Sequence, residues 1–213
     1  NSNGFCQGYP SSQHAMSCSA IANEGDNMQR DYWYSTARSV ANMETAGEVG
    51  RKAGLRSIRR LNARQLSTRQ APVLFEATLA SGLISSFVSA ISGGNLYRKS
   101  SFLLDALGTQ IFAPFITIRE LPHLAMGLAS SPFDNEGVAT SDRDLVKDGI
   151  LNGYMLSSYS ARKLGMQTTG NAGGNHNLLL ECGNLDFAGL LKQMDAGLVV
   201  TELLGHGINM VTG

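Results

Sequence analysis

Between Pro72 and Gly94 the chain reads P-V-L-F-E-A-T-L-A-S-G-L-I-S-S-F-V-S-A-I-S-G-G, a short apolar strand running straight into a helix. A single carboxylate, Glu76, stands at the junction. Leu79, Leu83, Phe87 and Ile91 recur every four residues and Ile84 and Val88 form a second row beside them. This period predicts a buried helix that holds Glu76 at its first turn. Such a junction is where a catalytic zinc could sit, and that ion takes three protein ligands and leaves a fourth position for the water it acidifies. Here the flanking residues are Phe75 and Ala80, neither of which donates a lone pair. The chain has the scaffold of a metal-bearing helix and lacks the metal chemistry.

The 213 residues suffice for one large domain or two modest ones, and 43% hydrophobic content is enough for a core. Seventeen basic residues balance seventeen acidic ones, which argues against bulk attraction to nucleic acid or an anionic membrane. The longest apolar runs fall far short of a bilayer span. Cys6, Cys18 and Cys182 are odd in number and show no C-x-x-C spacing, so neither a disulfide framework nor a zinc knuckle is indicated. A cytoplasmic setting is the simplest expectation.

Gly4 to Arg38 alternates like a meander, G-F-C-Q-G-Y, H-A-M-S-C-S-A-I-A and D-Y-W-Y-S-T-A-R, with turn signals around Pro10 and Gly25, and predicts three antiparallel strands. In the next helix Leu55, Ile58 and Leu61 share one side, while Arg51, Lys52, Arg56, Arg59 and Arg60 cover much of the other. That basic face is an anion or nucleic-acid contact or a solvated face of long cationic side chains. The missing interleaved aromatics and the zero net charge favour the solvated face. A boundary near Leu66 to Pro72 separates the polar segment before it from the apolar strand and the second part of the chain. In the second part Thr109 to Glu120 alternates as a strand, Asp148-Gly149 turns a hairpin, Phe187 to Met194 is a short helix, and Gly197 to Leu204 is a buried strand. This order of elements predicts an α+β fold.

The densest cluster of conformationally special residues is T-T-G-N-A-G-G-N-H-N, Thr168 to Asn177. Gly170, Gly173 and Gly174 allow positive φ and close backbone approach, while Asn171, Asn175 and His176 supply donors and acceptors. The loop is neither a Walker loop nor a dinucleotide fingerprint; it suits peptide-backbone binding at a sheet edge, or simply a tight turn. His14, His123, His176 and His206 show no pair at helical ligand spacing. G-x-S-x-G is absent, and Asp134 to Asp148 lacks calcium-loop spacing and reads as solvated turns.

Five segments, N-L-Y-R-K-S-S-F-L-L-D-A-L-G, G-L-A-S-S-P-F-D-N-E-G-V, D-G-I-L-N-G-Y, S-S-Y-S-A-R-K-L-G-M-Q-T-T-G-N-A-G-G-N-H-N and G-L-V-V-T-E-L-L-G-H-G-I-N-M-V-T-G, resemble the PmbA (TldE) side of the TldD/PmbA family. The resemblance extends over the whole chain, the D-Y-W-Y meander included. It implies a metal-free subunit of a heteromeric zinc metallopeptidase that degrades or trims small unfolded peptides, with zinc in a TldD-like partner and no cofactor in this chain. The TldD side carries H-E-x-x-x-H on the helix that corresponds here to Phe75 through Ala80, so the resemblance puts Phe75, Glu76 and Ala80 on one vestigial motif helix, of which only the glutamate is retained. The rival expectation is a non-enzymatic peptide-binding modulator of DNA gyrase or of a toxin–antitoxin system. Homo-oligomers are expected of the isolated subunit, and no nucleic acid or membrane is expected as a partner. The resemblance also implies that the chain is an internal fragment, preceded by an N-terminal portion and continued past V-T-G, with residues 1–68 the end of an N-terminal α/β domain and residues 69–213 the larger part of a strand-rich C-terminal domain with one buried helix.

Overall fold

The computed structural model describes every residue except Cys182, His206 and Gly207. The chain forms two units, one of Cys6–Arg69 with Met126–Leu128, the other of Asn1–Phe5, Gln70–Ala125 and Ala129–Gly213.

In the first unit the alternation becomes one long hairpin, β1 (His14–Glu24) and β2 (Asn27–Ala37), paired antiparallel from His14↔Ala37 to Glu24↔Asn27. Gly25 takes φ +58 in the two-residue turn, a left-handed conformation that glycine adopts without steric cost. The expected third strand is absent. Gly4 to Tyr9 folds back on itself at its start instead, where the Asn1 side-chain carbonyl accepts the N–H groups of Asn3 and Phe5.

Helix α1 (Ala46–Arg59) opens on Thr45, whose hydroxyl accepts the Glu48 N–H at 3.3 Å, and lies on the hairpin. Its buried residues are Val49, Ala53 and Ser57, small side chains spaced four apart that let helix and strands approach closely. The Ser57 hydroxyl ties the elements together by accepting the Asp31 N–H at 3.1 Å and donating to the Ala20 carbonyl at 2.7 Å. This reverses the expected orientation, because Leu55 and Ile58 are 42% and 58% exposed. Two features of β2 draw the basic side toward the sheet instead. The Trp33 ring receives Lys52 at 5.0 Å and Arg56 at 5.4 Å, and the buried Asp31 carboxylate receives Arg56 at 3.3 Å and Arg60 at 3.7 Å. Glu44 and Glu48 take Lys52 and Arg51, at 2.8 and 2.6 Å. The basic face is thus largely matched by carboxylates within its own unit.

The second unit runs β3 (Val73–Phe75), α2 (Ala77–Ala90), α3 (Gly93–Tyr97), β4 (Ile118–Glu120), β5 (Arg143–Lys147), β6 (Ile150–Leu151), α4 (Ser158–Leu164), β7 (Leu178–Leu180), α5 (Phe187–Met194) and β8 (Leu198–Val200). Strands β6-β5-β4-β7 form an antiparallel sheet in that order, and β3 pairs in parallel with β8. Asp148 and Gly149, both at positive φ, make the β5–β6 turn. The core gathers Phe87, Ile91, Leu96, Ile118, Leu145, Leu151 and Leu156. The fold is α+β, as expected.

Three elements are shorter or wetter than their patterns predict. Helix α2 is buried only along its last turns, and Leu83 is 39% exposed. The Thr109–Glu120 segment becomes a strand only at Ile118, with Phe115 81% exposed before it. Strand β8 ends at Val200 and Val199 faces outward, so apolarity there reflects one covered face, not two. No helix among the described residues is long and apolar enough to cross a membrane.

Trp33 is the chain's one tryptophan, so its fluorescence reports unfolding of the hairpin unit alone. Ala53→Leu forces a larger side chain into a fully buried position and is expected to destabilise that unit by about 1–3 kcal/mol in urea titration. Leu55→Gln, on the exposed side, is expected to stay within about 0.5 kcal/mol of the parent.

Candidate functional site

The β3–α2 junction is firmly built. The Glu76 N–H extends the β3–β8 ladder by donating to the Val200 carbonyl at 3.0 Å, and the Glu76 carbonyl accepts the N–H groups of Leu79 and Ala80. Glu76 is therefore the N-cap residue of α2, and Phe75 is the last residue of β3; only Ala80 of the three lies in the helix. This corrects the expectation of one helix carrying all three positions, and the reason is ladder pairing, which keeps the chain extended through Phe75. The Glu76 carboxylate accepts the Thr78 hydroxyl at 3.2 Å. Residues here do not fit a zinc ion, since Glu76 offers oxygen and Phe75 and Ala80 offer nothing. Among the described residues no group of three His, Cys, Asp or Glu side chains converges anywhere.

The histidines are dispersed. His14 is exposed at the start of β1, His123 shares a 3.1 Å hydrogen bond with the Thr140 hydroxyl, and His206 lies outside the described residues, as does Cys182. His176 is buried against Glu120, with Nδ1 2.9 Å from Oε1. An ionised carboxylate only accepts, so this nitrogen carries the proton.

Glu120, 1% exposed at the end of β4, is the hub of a polar network beneath the glycine-rich loop. Its Oε2 accepts two N–H groups of Arg143, at 2.9 and 2.7 Å, and its Oε1 accepts the Asn171 amide at 2.7 Å and the His176 N–H at 2.9 Å. Arg143 reaches on to Asn171 Oδ1 at 2.9 Å and to the Tyr154 carbonyl at 3.0 Å. Burial pushes the Glu120 carboxyl up, but the His176 N–H, the Arg143 guanidinium and the Asn171 amide outweigh it and hold the carboxyl below its ordinary range. Asp134 adds a second clamp, accepting the N–H groups of Glu136 and Val138 on one oxygen and of Ala172 on the other. The expected solvated turn around Asp134 is thus a buried anchor, because three backbone donors replace its water.

These clamps set the loop. Gly170 and Asn171 are buried, Gly173 and Gly174 stand at φ +109 and +125, and Asn175 is exposed with its amide turned to the His176 carbonyl. The φ of +109 at Gly173 disfavours any residue with a Cβ, and that Cβ would also lie 2.3 Å from the Asn135 amide nitrogen and displace its side chain. Across from the loop, Ser92 bridges Met155 in parallel, and Gly93 lets α3 meet α4 where a Cβ would strike the Ser160 hydroxyl at 2.3 Å. Between them opens a cleft of about 390 Å³ lined by Ser89, Ser92–Asn95, Ser157, Ser160 and Asn171–Gly174, with Val88 and Met155. Its walls offer hydroxyl, amide and backbone groups and, among the described residues, no titratable side chain. Such a surface can hold an extended polar chain and has no means of activating a nucleophile.

Sequence reading singled out the loop and missed Glu120, Arg143 and the serine wall. A signal for Glu120 existed. Ile116, Ile118 and Glu120 share one phase of the period-two alternation, so a carboxylate occupied an inward position. The serines carried no such signal.

Because the Glu120 carboxyl is held below its ordinary range in the fold, the stability it contributes is complete above the ordinary carboxylate pKa of about 4.3 and is lost as pH falls through the lowered value. Glu120→Gln is expected to flatten that acid dependence. Removing one partner of a buried charged pair costs about 3–5 kcal/mol, so the variant is also expected to be less stable at pH 7 in urea titration followed by circular dichroism.

The family model described as the PmbA/TldA metallopeptidase C-terminal domain matches residues 68–213, and that of the central domain of the same family matches residues 1–61. A protein named Metalloprotease PmbA from Escherichia coli O157:H7 is 51% identical over 213 residues, covering 100% of this chain and 47% of that protein. A Metalloprotease PmbA homolog from Haemophilus influenzae is 48% identical over 216 residues, covering 100% of this chain and 48% of its own length. The chain spans about half the length of these curated relatives. A crystal structure from Bacteroides thetaiotaomicron, described as a candidate modulator of DNA gyrase, superposes with TM-score 0.93 at 31% identity, over 100% of this chain and 48% of that one. With both family domains matched in order and half the residues shared with a named relative, this chain belongs to the PmbA/TldA metallopeptidase family.

Proposed function

We propose that this chain acts as the metal-free, TldE-like subunit of a heteromeric zinc peptidase and holds a small unfolded peptide while a TldD-like partner supplies metal and general base. The observation that carries this reading is the contrast between two places in one unit. The β3–α2 junction keeps the capping geometry and Glu76 of a metal-bearing segment but presents Phe75 and Ala80 where ligands are needed. The cleft beside the glycine-rich loop, in contrast, is fully elaborated.

In this role the chain's own residues bind and orient. The hydroxyls of Ser89, Ser92 and Ser157 can each donate to or accept from a peptide unit, and Gly173 and Gly174 let a peptide backbone approach without meeting a Cβ. The network on Glu120 keeps the loop in a single geometry, so little conformational freedom remains to be lost when a peptide binds.

The decisive experiment is cleavage of an unfolded peptide by the purified protein with and without a TldD-like subunit. Cleavage is expected only with the partner, and elemental analysis of the isolated protein is expected to find no stoichiometric zinc. One tightly held zinc per chain would overturn the metal-free assignment and turn attention to His14, His123, His176 and His206. Peptide binding without cleavage under any condition would favour a modulator, the activity ascribed to the Bacteroides structure. Gly173→Val, which drives a side chain into Asn135, is expected to lower partner-dependent cleavage by about tenfold or more while leaving the circular dichroism spectrum nearly unchanged.

A further inference from the structure

Beside the cleft, α3 and α4 bring together two tyrosines and a set of cations. The Arg98 guanidinium lies 5.5 Å from the Tyr97 ring centroid, Tyr97 meets Tyr159 edge to face at 5.6 Å, and the Lys163 ammonium stands 5.7 Å from the Tyr159 ring. Lys99 and Arg162, both exposed, adjoin Arg98 and Lys163 in the chain. Arg98 hydrogen-bonds only neutral groups, Asn95 Oδ1 at 3.2 Å and the Tyr97 hydroxyl at 3.5 Å. Among the described residues none of Arg98, Lys99, Arg162 and Lys163 has a carboxylate partner. The contrast with α1 is direct, since the basic residues there are taken up by Asp31, Glu44 and Glu48. The carboxylate at α4, Glu136, accepts the Ser158 N–H at the opposite end of the helix from Arg162 and Lys163.

This surface is continuous with the cleft. Gly94 and Asn95 line the cleft from α3, and Ser157 and Ser160 line it from the start of α4. The Arg98 guanidinium stands 3.4 Å from where a Cβ on Gly94 would be, which places it on the rim.

We infer that the α3–α4 surface receives an acidic segment of a peptide whose neighbouring residues lie in the cleft. The inference rests on the reading of this chain as a peptide-holding subunit and adds a specificity to it. Four cations, Arg98 and Lys99 just past the end of α3 and Arg162 and Lys163 on α4, with no carboxylate partner among the described residues, match several carboxylate side chains better than one terminal carboxylate. A single-stranded nucleic acid fits less well. Its bases need open ring faces for stacking, and here Arg98 and Lys163 occupy faces of Tyr97 and Tyr159. Its phosphates are also usually met by more cations than these, about 6–10 in a typical duplex contact.

Binding of fluorescent peptides to the purified protein, without partner and without cleavage, tests this by anisotropy. The probes are a Gly/Ser peptide carrying spaced glutamates, the same peptide with glutamines, and oligothymidine. The glutamate peptide is expected to bind about tenfold more tightly than the glutamine peptide, with the difference shrinking as salt rises and the Debye length falls below about 10 Å. Arg98→Gln with Lys163→Gln is expected to weaken the glutamate peptide about tenfold and the glutamine peptide less than about twofold. Both residues are exposed, and circular dichroism is the check that the double variant is folded. Equal affinity for the two peptides, or no effect of the double variant, overturns the acidic preference and leaves peptide holding intact. Tighter binding of oligothymidine overturns it in favour of nucleic acid, and no peptide binding at all overturns both readings. Absence of partner-dependent cleavage by the parent protein, with the glutamate preference observed, would count against the peptidase role alone.

Discussion

A carboxylate removed from water must recover from protein donors the hydrogen bonds it has given up, and where those donors lie decides what it ties together. Glu120 recovers them from separate segments. Arg143 begins β5, and Asn171 and His176 bracket the glycine-rich loop, so one buried charge fastens sheet and loop in a single arrangement. Each hydrogen bond to a charged group contributes about 1.5–3 kcal/mol only while its partners stay in place, which makes the network cooperative and its geometry hard to deform. Asp134 repeats the device on the outer side of the loop through backbone donors. Gly173 and Gly174 take positive φ without a Cβ to clash, and these two carboxylates fix the backbone around them.

The same chemistry explains why the two basic helical surfaces differ in meaning. On α1 the Lys52 ammonium and the Arg56 guanidinium lie over Trp33 and also reach Glu44 and Asp31, so the charge is matched inside the unit. On α3 and α4 the cations reach aromatic faces and neutral oxygens, and their charge is left to the solvent. Net charge cannot separate these cases, because the chain as a whole is neutral.

Periodicity located most elements of this fold and misjudged several of their faces. The hairpin turn at Gly25, the turn at Asp148-Gly149 and helix α5 were legible because each depends on local backbone chemistry. The orientation of α1 was not, since Leu55 and Ile58 outrank Ala53 and Ser57 in hydrophobicity while the hairpin selects side chains small enough for close approach. The ligand-poor position at Phe75, Glu76 and Ala80 could be read from residue types alone. That it straddles a strand end and an N-cap could not, because the pairing of β3 with β8 joins residues more than a hundred positions apart.

What the sequence determined by itself is therefore chemical and local: the absence of ligating atoms at Phe75 and Ala80, the left-handed turns that glycine permits, and the likeness that identifies the family. The tertiary structure alone decided which polar groups share a site. Glu120, Arg143 and Asn171 become partners, and Ser92, Ser157 and Gly173 become walls of one cleft, only when chain segments far apart in sequence are packed together. Hydrogen bonds and burial act over a few ångströms, and no pattern along the chain encodes which distant donor will come within that range.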